Sequence, residues 1–208
     1  MPENTIAAFR KALEMGAGGI ECDVRISSDG YPVIIHDDTI DRTTSGCGKV
    51  RQFNAAQLVQ YGIPVLWEVL KLLREEKILL FLEIKETGYE REIITTVGRS
   101  GIADRVIYIS FSEESLAKTR EIGDKLQTGF LYSGDGFPEK ILEELGVKYF
   151  LPEGSLVTKD VISAAHSKGL EVFTWTIDDR KTAERLIECG VDGIITNKPD
   201  LLCESGSW

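Results

Sequence analysis

Glu21 and Asp23 stand two residues apart in the run Gly-Ile-Glu-Cys-Asp-Val-Arg, and Glu83 and Lys85 stand two apart in Leu-Phe-Leu-Glu-Ile-Lys. Side chains alternate across a strand, so if both runs are strands each pair projects to one side. Charges beside such apolar stretches are costly unless they are paired or bind a metal. Taken alone, Glu83 and Lys85 read equally well as a buried ion pair, and Glu21 or Asp23 singly as a half-exposed strand residue. Taken together, three carboxylates and one ammonium at strand ends suit a hard divalent cation, with Lys85 left to hold an anionic substrate. His36 follows the apolar run Val33-Ile34-Ile35 and returns toward the strand of Glu21 and Asp23. An imidazole there suits general acid/base work, because histidine titrates close to neutrality, although a lone histidine also reads as structural. The other histidine, His166, falls late in a helical segment before Gly169. It is expected at the far end of the fold, capping carbonyls against the helix dipole.

The elements that would position these groups follow a repeated rhythm. Short β-branched runs at residues 19–25, 78–84, 105–110, 127–131, 149–152, 171–176 and 193–196 alternate with amphipathic segments at 4–15, 67–76, 89–99, 113–122, 138–145, 159–167 and 179–189. That is the pattern of about seven βα units around a parallel sheet. Gly16, Gly146, Gly169 and Gly190 follow the last turns of four helices, where a left-handed cap is needed. Ser27-Ser28-Asp29-Gly30 is a turn between residues 20–25 and 31–36, so a hairpin is expected there. Residues 37–62 form a long excursion, polar to Val50, with a weak helix at 55–60. Excursions of that length in compact α/β units are usually functional.

The fold class expected is a single α/β domain over residues 1–208, a TIM (β/α)8-type barrel with a hairpin and a short insertion after its second strand. A closed barrel needs eight strands, and this chain opens on a helix, so the first strand is expected to be lacking. Such a barrel has an open edge through which copies could pair as a homo-oligomer. Residues 204–208 are expected to fray.

Bulk properties exclude several partners. A net charge of -10 and a pI near 4.8 supply no cationic footprint for nucleic acid or for a membrane surface. No apolar run reaches the length of a membrane span, and no secretory leader is expected from the residues that open the sequence. Cys22, Cys47, Cys189 and Cys203 show neither a C-x-x-C pair nor metal spacing, which fits reduced thiols in the cytoplasm.

The ordered series Pro2-Glu3-Asn4-Thr5, Glu21-x-Asp23, Ser28-Asp29-Gly30, His36-Asp37, Asp41-Arg42-Thr43-Thr44, Ile63-Pro64-x-Leu66, Glu83-Ile84-Lys85, Ser110-Phe111, Trp175-Thr176 and Gly190-Val191-Asp192-Gly193-Ile194-Ile195-Thr196 resembles the glycerophosphodiester phosphodiesterase family over essentially the whole chain. The resemblance implies a TIM barrel hydrolysing glycerophosphodiesters, its small-molecule substrates, to sn-glycerol 3-phosphate and an alcohol with Mg²⁺ or Ca²⁺. By position it implies metal carboxylates at Glu21, Asp23 and Glu83, a catalytic histidine at His36 and a phosphate-facing Lys85. It also implies a pocket wall of Trp175, joined by Phe111.

Two departures qualify the resemblance. The family's His-Arg-Gly motif lies on a strand upstream of Pro-Glu-Asn-Thr, so Met1 is expected to mark a truncation or a misplaced start. Loss of one positioned acid/base typically costs roughly 10²- to 10⁴-fold, so the activity of this form is expected to be impaired. The segment between Val50 and Ile63 is also shorter than usual, which bears on the cap over the glycerol pocket. The alternative reading is a catalytically silent barrel that binds glycerol phosphates or a protein partner. A phospholipase-like enzyme on the same barrel is disfavoured by the acidic charge and the lack of an apolar docking stretch.

Overall fold

The structure, a computed structural model, describes residues 1–201; Cys203 and the tail 204–208 lie outside the described residues. Among the described residues one sheet contains β1 (Gly19–Ile26), β2 (Pro32–Ile34), β3 (Leu79–Ile84), β4 (Val106–Ser110), β5 (Gln127–Tyr132), β6 (Tyr149–Pro152), β7 (Glu171–Thr174) and β8 (Gly193–Ile194). Their spatial order is β2-β1-β3-β4-β5-β6-β7-β8. β2 runs antiparallel to β1 as the hairpin arm, and every other neighbouring pair is parallel. The seven expected βα strands and the hairpin are therefore present, as a curled sheet of TIM-barrel type. Among the described residues no pairing joins β8 to β1.

Burial on both faces explains why β4 and β6 are continuous apolar runs, as parallel strands between helices and a barrel interior must be. On β1 and β3 the even residues Cys22, Val24, Leu80, Leu82 and Ile84 pack outward against helices, in a cluster with Leu70, Ile93 and Val97. The opposite side carries Phe81, Ile107, Ile109, Leu131, Tyr149 and Leu151, the filling of the curled interior. Phe81, Tyr149 and Phe173 stack there at centroid separations of 4.7–6.0 Å. Glu21 and Asp23 share that interior-facing parity, at the end of the sheet where the filling stops.

The strands are joined by α1 (Ile6–Glu14), α2 (Ala55–Gln60), α3 (Leu66–Leu72), α4 (Glu90–Gly98), α5 (Glu113–Ile122), α6 (Glu139–Leu145), α7 (Lys159–Ser167) and α8 (Arg180–Cys189). Thr5, Asn54, Ser112, Thr158 and Asp179 accept the exposed amides at the starts of α1, α2, α5, α7 and α8. Gly146 and Gly190 close α6 and α8 in the left-handed conformation the sequence requires. α3 stops at Leu72, short of the expected residue 76, where Glu75 and Glu76 would set negative charge against the carbonyl end of the helix.

The excursion after the hairpin is a small subdomain rather than a loose loop. Val33, Ile35, Ile40, Val50, Leu58 and Ile63 form its own core. It also covers the outer side of β2, because Ile34 donates its amide to Pro64 and Val33 bridges Val65. Among the described residues no helix is long and apolar enough to cross a membrane.

Candidate active site

β1 and β3 lie side by side in a register that sets Asp23 opposite Glu83 and Glu21 opposite Phe81. Because the two strands are parallel, the residues after them leave on the same rim. One carboxylate oxygen each from Glu21, Asp23 and Glu83 falls within 4.8 Å of the others. Lys85 reaches back to the same group, its Nζ lying 2.8 Å from Glu83 and 3.1 Å from Asp23. The ion pair and the acidic cluster are thus one arrangement.

The electrostatics of the cluster are unbalanced. Asp23 and Glu83 are buried at 5% and 8% exposure. Burial raises the Glu21 carboxyl well above the usual range, reinforced by Asp23 and Glu83. Burial likewise pushes Glu83 up to about 7, Lys85 opposing and Asp23 adding to the shift. Burial works against the Lys85 charge, but Asp23 and Glu83 outweigh it and hold the ammonium above the ordinary lysine range. Fully ionised, three carboxylates against one ammonium would leave two negative charges uncompensated, which is the charge a divalent ion carries, and without that charge Glu21 and Glu83 hold their protons more tightly. Geometry agrees: two oxygen ligands each about 2.3–2.6 Å from a Ca²⁺ ion lie at most about 5 Å apart. Hard carboxylate oxygens, no thiolate and no imidazole in the cluster match Mg²⁺ or Ca²⁺ rather than a softer metal.

Asn4 also belongs to this cluster. Its Nδ2 donates to Asp23 Oδ2 at 2.7 Å, and its Oδ1 accepts the Asp23 amide at 3.1 Å. It does so from a left-handed backbone, φ +54°, which Asn tolerates better than most residues. The motif Pro2-Glu3-Asn4-Thr5 was the available signal, but only the folded chain brings it to Asp23.

His36 stands apart from the carboxylates. The hairpin does return it toward β1, since the neighbouring Ile35 amide donates to Asp23 O at 3.0 Å. Its ring, however, engages Asp37, Nδ1 lying 2.7 Å from Oδ1. Asp37 is in turn gripped by Arg42, and the Arg42 and His36 partners hold its carboxyl well below the usual range. Phe111 and Trp175 meet on the rim edge to face with centroids 5.3 Å apart, and Trp175 is fixed by an Nε1 bond to Leu151 O at 2.8 Å.

The expected carbonyl cap by His166 is corrected. Its Nε2 lies 2.9 Å from Asp192 Oδ2, an oxygen that also accepts the Val172 amide. An anionic partner at the foot of β8, beside β7, outcompetes a neutral carbonyl for the imidazole. Its position away from the carboxylate rim is as the sequence implies.

A curled βα sheet with three carboxylates converging on its rim defines a protein of the TIM-barrel class with an acidic site that could hold a cation. The family model of the glycerophosphoryl diester phosphodiesterase family matches residues 1–201. A glycerophosphodiester phosphodiesterase of Caldanaerobacter subterraneus is 35% identical over 97% of this chain and 91% of its own length. Its counterpart in Bacillus altitudinis is 31% identical over 96% and 90%. Among solved structures, a glycerophosphodiester phosphodiesterase of Agrobacterium tumefaciens superposes with a TM-score of 0.86 at 27% identity, covering 97% of this chain and 93% of the other. An Oleispira antarctica phosphodiesterase in complex with the product sn-glycerol-3-phosphate gives 0.85 at 27%, covering 96% and 89%. The chain belongs to the glycerophosphoryl diester phosphodiesterase family and is accordingly an enzyme of the phosphoric diester hydrolase class.

Proposed function

We propose that this chain hydrolyses glycerophosphodiesters to sn-glycerol 3-phosphate and an alcohol, with Mg²⁺ or Ca²⁺ held by Glu21, Asp23 and Glu83. The observation that carries the reading is the convergence of those three oxygens within 4.8 Å around an uncompensated charge. When bound, the ion supplies charge stabilisation to a phosphoryl oxygen. With a cation held by the carboxylates, Lys85, which pairs with Asp23 and Glu83, would be placed to pair with the substrate phosphate. Phe111 and Trp175 offer an apolar wall for the carbon skeleton of the glycerol. His36 moves one proton, taking it from the attacking hydroxyl or giving it to the leaving-group oxygen. Support for the substrate comes from the sn-glycerol-3-phosphate bound to the Oleispira antarctica relative.

Of the chain's two histidines only His36 stands near the rim, so one proton transfer has an imidazole and the other falls to solvent. A site with one positioned imidazole is expected to turn over roughly 10²- to 10⁴-fold more slowly than one with two. The same observation favours the second reading, a barrel that binds glycerol phosphates without turnover. The free thiols and the acidic charge support a reducing, cytoplasmic setting and a small-molecule substrate.

The test is release of glycerol phosphate from glycerophosphocholine with added Mg²⁺ or Ca²⁺, comparing the chain with Glu21→Ala. A slow, metal-dependent rate lost in the variant is expected. A rate indifferent to Glu21 overturns the proposal, and tight binding of sn-glycerol 3-phosphate with no turnover under either metal establishes the second reading.

A further inference from the structure

Four side chains outside the carboxylate cluster form a chain of contacts that ends on the imidazole. Asp37 Oδ1 lies 2.7 Å from His36 Nδ1. Arg42 closes a fork on the same carboxylate, with Nε 2.7 Å from Oδ2 and Nη2 3.0 Å from Oδ1. Arg42 Nη2 also reaches Glu3 Oε1 at 2.5 Å, across 39 residues of sequence. The main chain of His36 is held separately, its carbonyl accepting from Arg25 Nε at 2.9 Å.

As a stabilising device this network is weak, because Arg42 and Glu3 are about half exposed and exposed ion pairs contribute little. Its geometry is nevertheless specific. A bidentate guanidinium fixes the plane of a carboxylate as a point charge does not. With its plane fixed and its charge retained, Asp37 can only accept. The ring nitrogen facing it, Nδ1, must then carry the proton, and Nε2 is left bare in the neutral ring. Glu3 adds a second tie, since the next residue, Asn4, is the one that grips Asp23 at both its carboxylate and its amide.

We infer that Arg42, braced by Glu3 and acting through Asp37, fixes the orientation and tautomer of His36, and that the Glu3-Asn4 step locks this imidazole to the carboxylate site. Arg42, Asp37 and Glu3 are positioning residues. The catalytic consequence rests on the acid/base role proposed for His36, whereas the tautomer does not.

The chain has two histidines, so long-range ¹H–¹⁵N spectra at pH 9, where an ordinary imidazole is neutral, contain two rings that His166→Gln tells apart. The expected wild-type His36 pattern is Nδ1–H with an unprotonated Nε2. Asp37→Ala is expected to shift the ring toward Nε2–H, and Arg42→Met to give a mixture that Arg42→Lys does not repair. All four residues are exposed enough for the variants to fold, and Ca²⁺ titration confirms an intact carboxylate site if its affinity stays within about twofold for Asp37→Ala and Arg42→Met. With glycerophosphocholine, kcat is expected to fall roughly 10- to 100-fold in Asp37→Ala while KM holds. A wild-type ring in the Nε2–H form, or a tautomer unmoved by Arg42→Met, overturns the inference. A tautomer that shifts while kcat does not upholds the positioning and removes His36 from the chemistry.

Discussion

Replacing Asn4 tests whether a residue at the start of the chain holds a candidate metal ligand in place. Its two bonds to Asp23 are of different kinds. The amide bond to the carboxylate is charge-assisted, worth about 1.5–3 kcal/mol; the other satisfies the main-chain N–H of a residue only 5% exposed, and leaving such a donor unpaired costs about 1–3 kcal/mol. Asn4→Gly removes both bonds and keeps the left-handed backbone at no steric cost, so a loss of about 3 kcal/mol is expected. Asn4→Ala adds the penalty of a Cβ at φ +54°, about 1–2 kcal/mol more. Urea unfolding of the metal-free chain measures both values, and the ordering wild type, Gly, Ala is as diagnostic as their size. If Asp23 is a metal ligand as proposed, Asn4 would orient it from outside the coordination sphere, and Ca²⁺ affinity is expected to fall roughly 10- to 100-fold in both variants. Losses below about 0.5 kcal/mol with unchanged Ca²⁺ affinity would refute the reasoning.

Three further outcomes follow from the same geometry. The raised carboxyls of Glu21 and Glu83 favour the folded state while protonated, so the metal-free chain has this stability in full below about pH 4.5 and loses the Glu83 share as pH rises through about 7. Thermal melts without metal should fall between pH 5 and pH 8 and recover with Ca²⁺, whose binding at pH 6 releases protons; Asp37, held low by Arg42 and His36, titrates below that window. A melt at pH 8 that ignores Ca²⁺ contradicts this. Lys85→Met strips the shared cation from Asp23 and Glu83, so roughly 3–5 kcal/mol should be lost at pH 8, much less at pH 5, with Ca²⁺ restoring the difference. Gly129→Ala places a Cβ 2.6 Å from Leu151 Cδ1 and 2.9 Å from Tyr149 Cβ inside the curled sheet, so urea unfolding should record a loss of about 1–3 kcal/mol with Ca²⁺ affinity unchanged.

Periodicity made most of the fold legible. The short β-branched and aromatic runs of β3, β4 and β6 are of strand length and buried on both faces, and the Ser27 to Gly30 turn, with Gly30 at φ +83°, announces the hairpin. The carboxylates were legible for the same reason, since alternation sets Glu21 beside Asp23 and Glu83 beside Lys85 on one side of their strands. What alternation cannot supply is register, and it is the pairing of Asp23 with Glu83 that makes two strand patterns into one cluster. The Asn4–Asp23 and Arg42–Glu3 contacts were illegible because the partners lie 19 and 39 residues apart. The His36–Asp37 contact was hidden by the rule that revealed the rest. Adjacent strand residues point apart, but β2 ends at Ile34, and beyond it the two side chains turn toward each other. His166 shows the same limit at the other end of the sheet, where an aspartate 26 residues on supplies the partner.

The most direct measurement is the position of a bound ion. In crystals soaked with Mn²⁺, anomalous scattering should place one ion within about 2.0–2.6 Å of oxygens from Glu21, Asp23 and Glu83, with Lys85 Nζ drawn off at least one of its carboxylate partners. An ion bound elsewhere, or the same ion retained in Glu83→Gln with unchanged occupancy, would contradict the account.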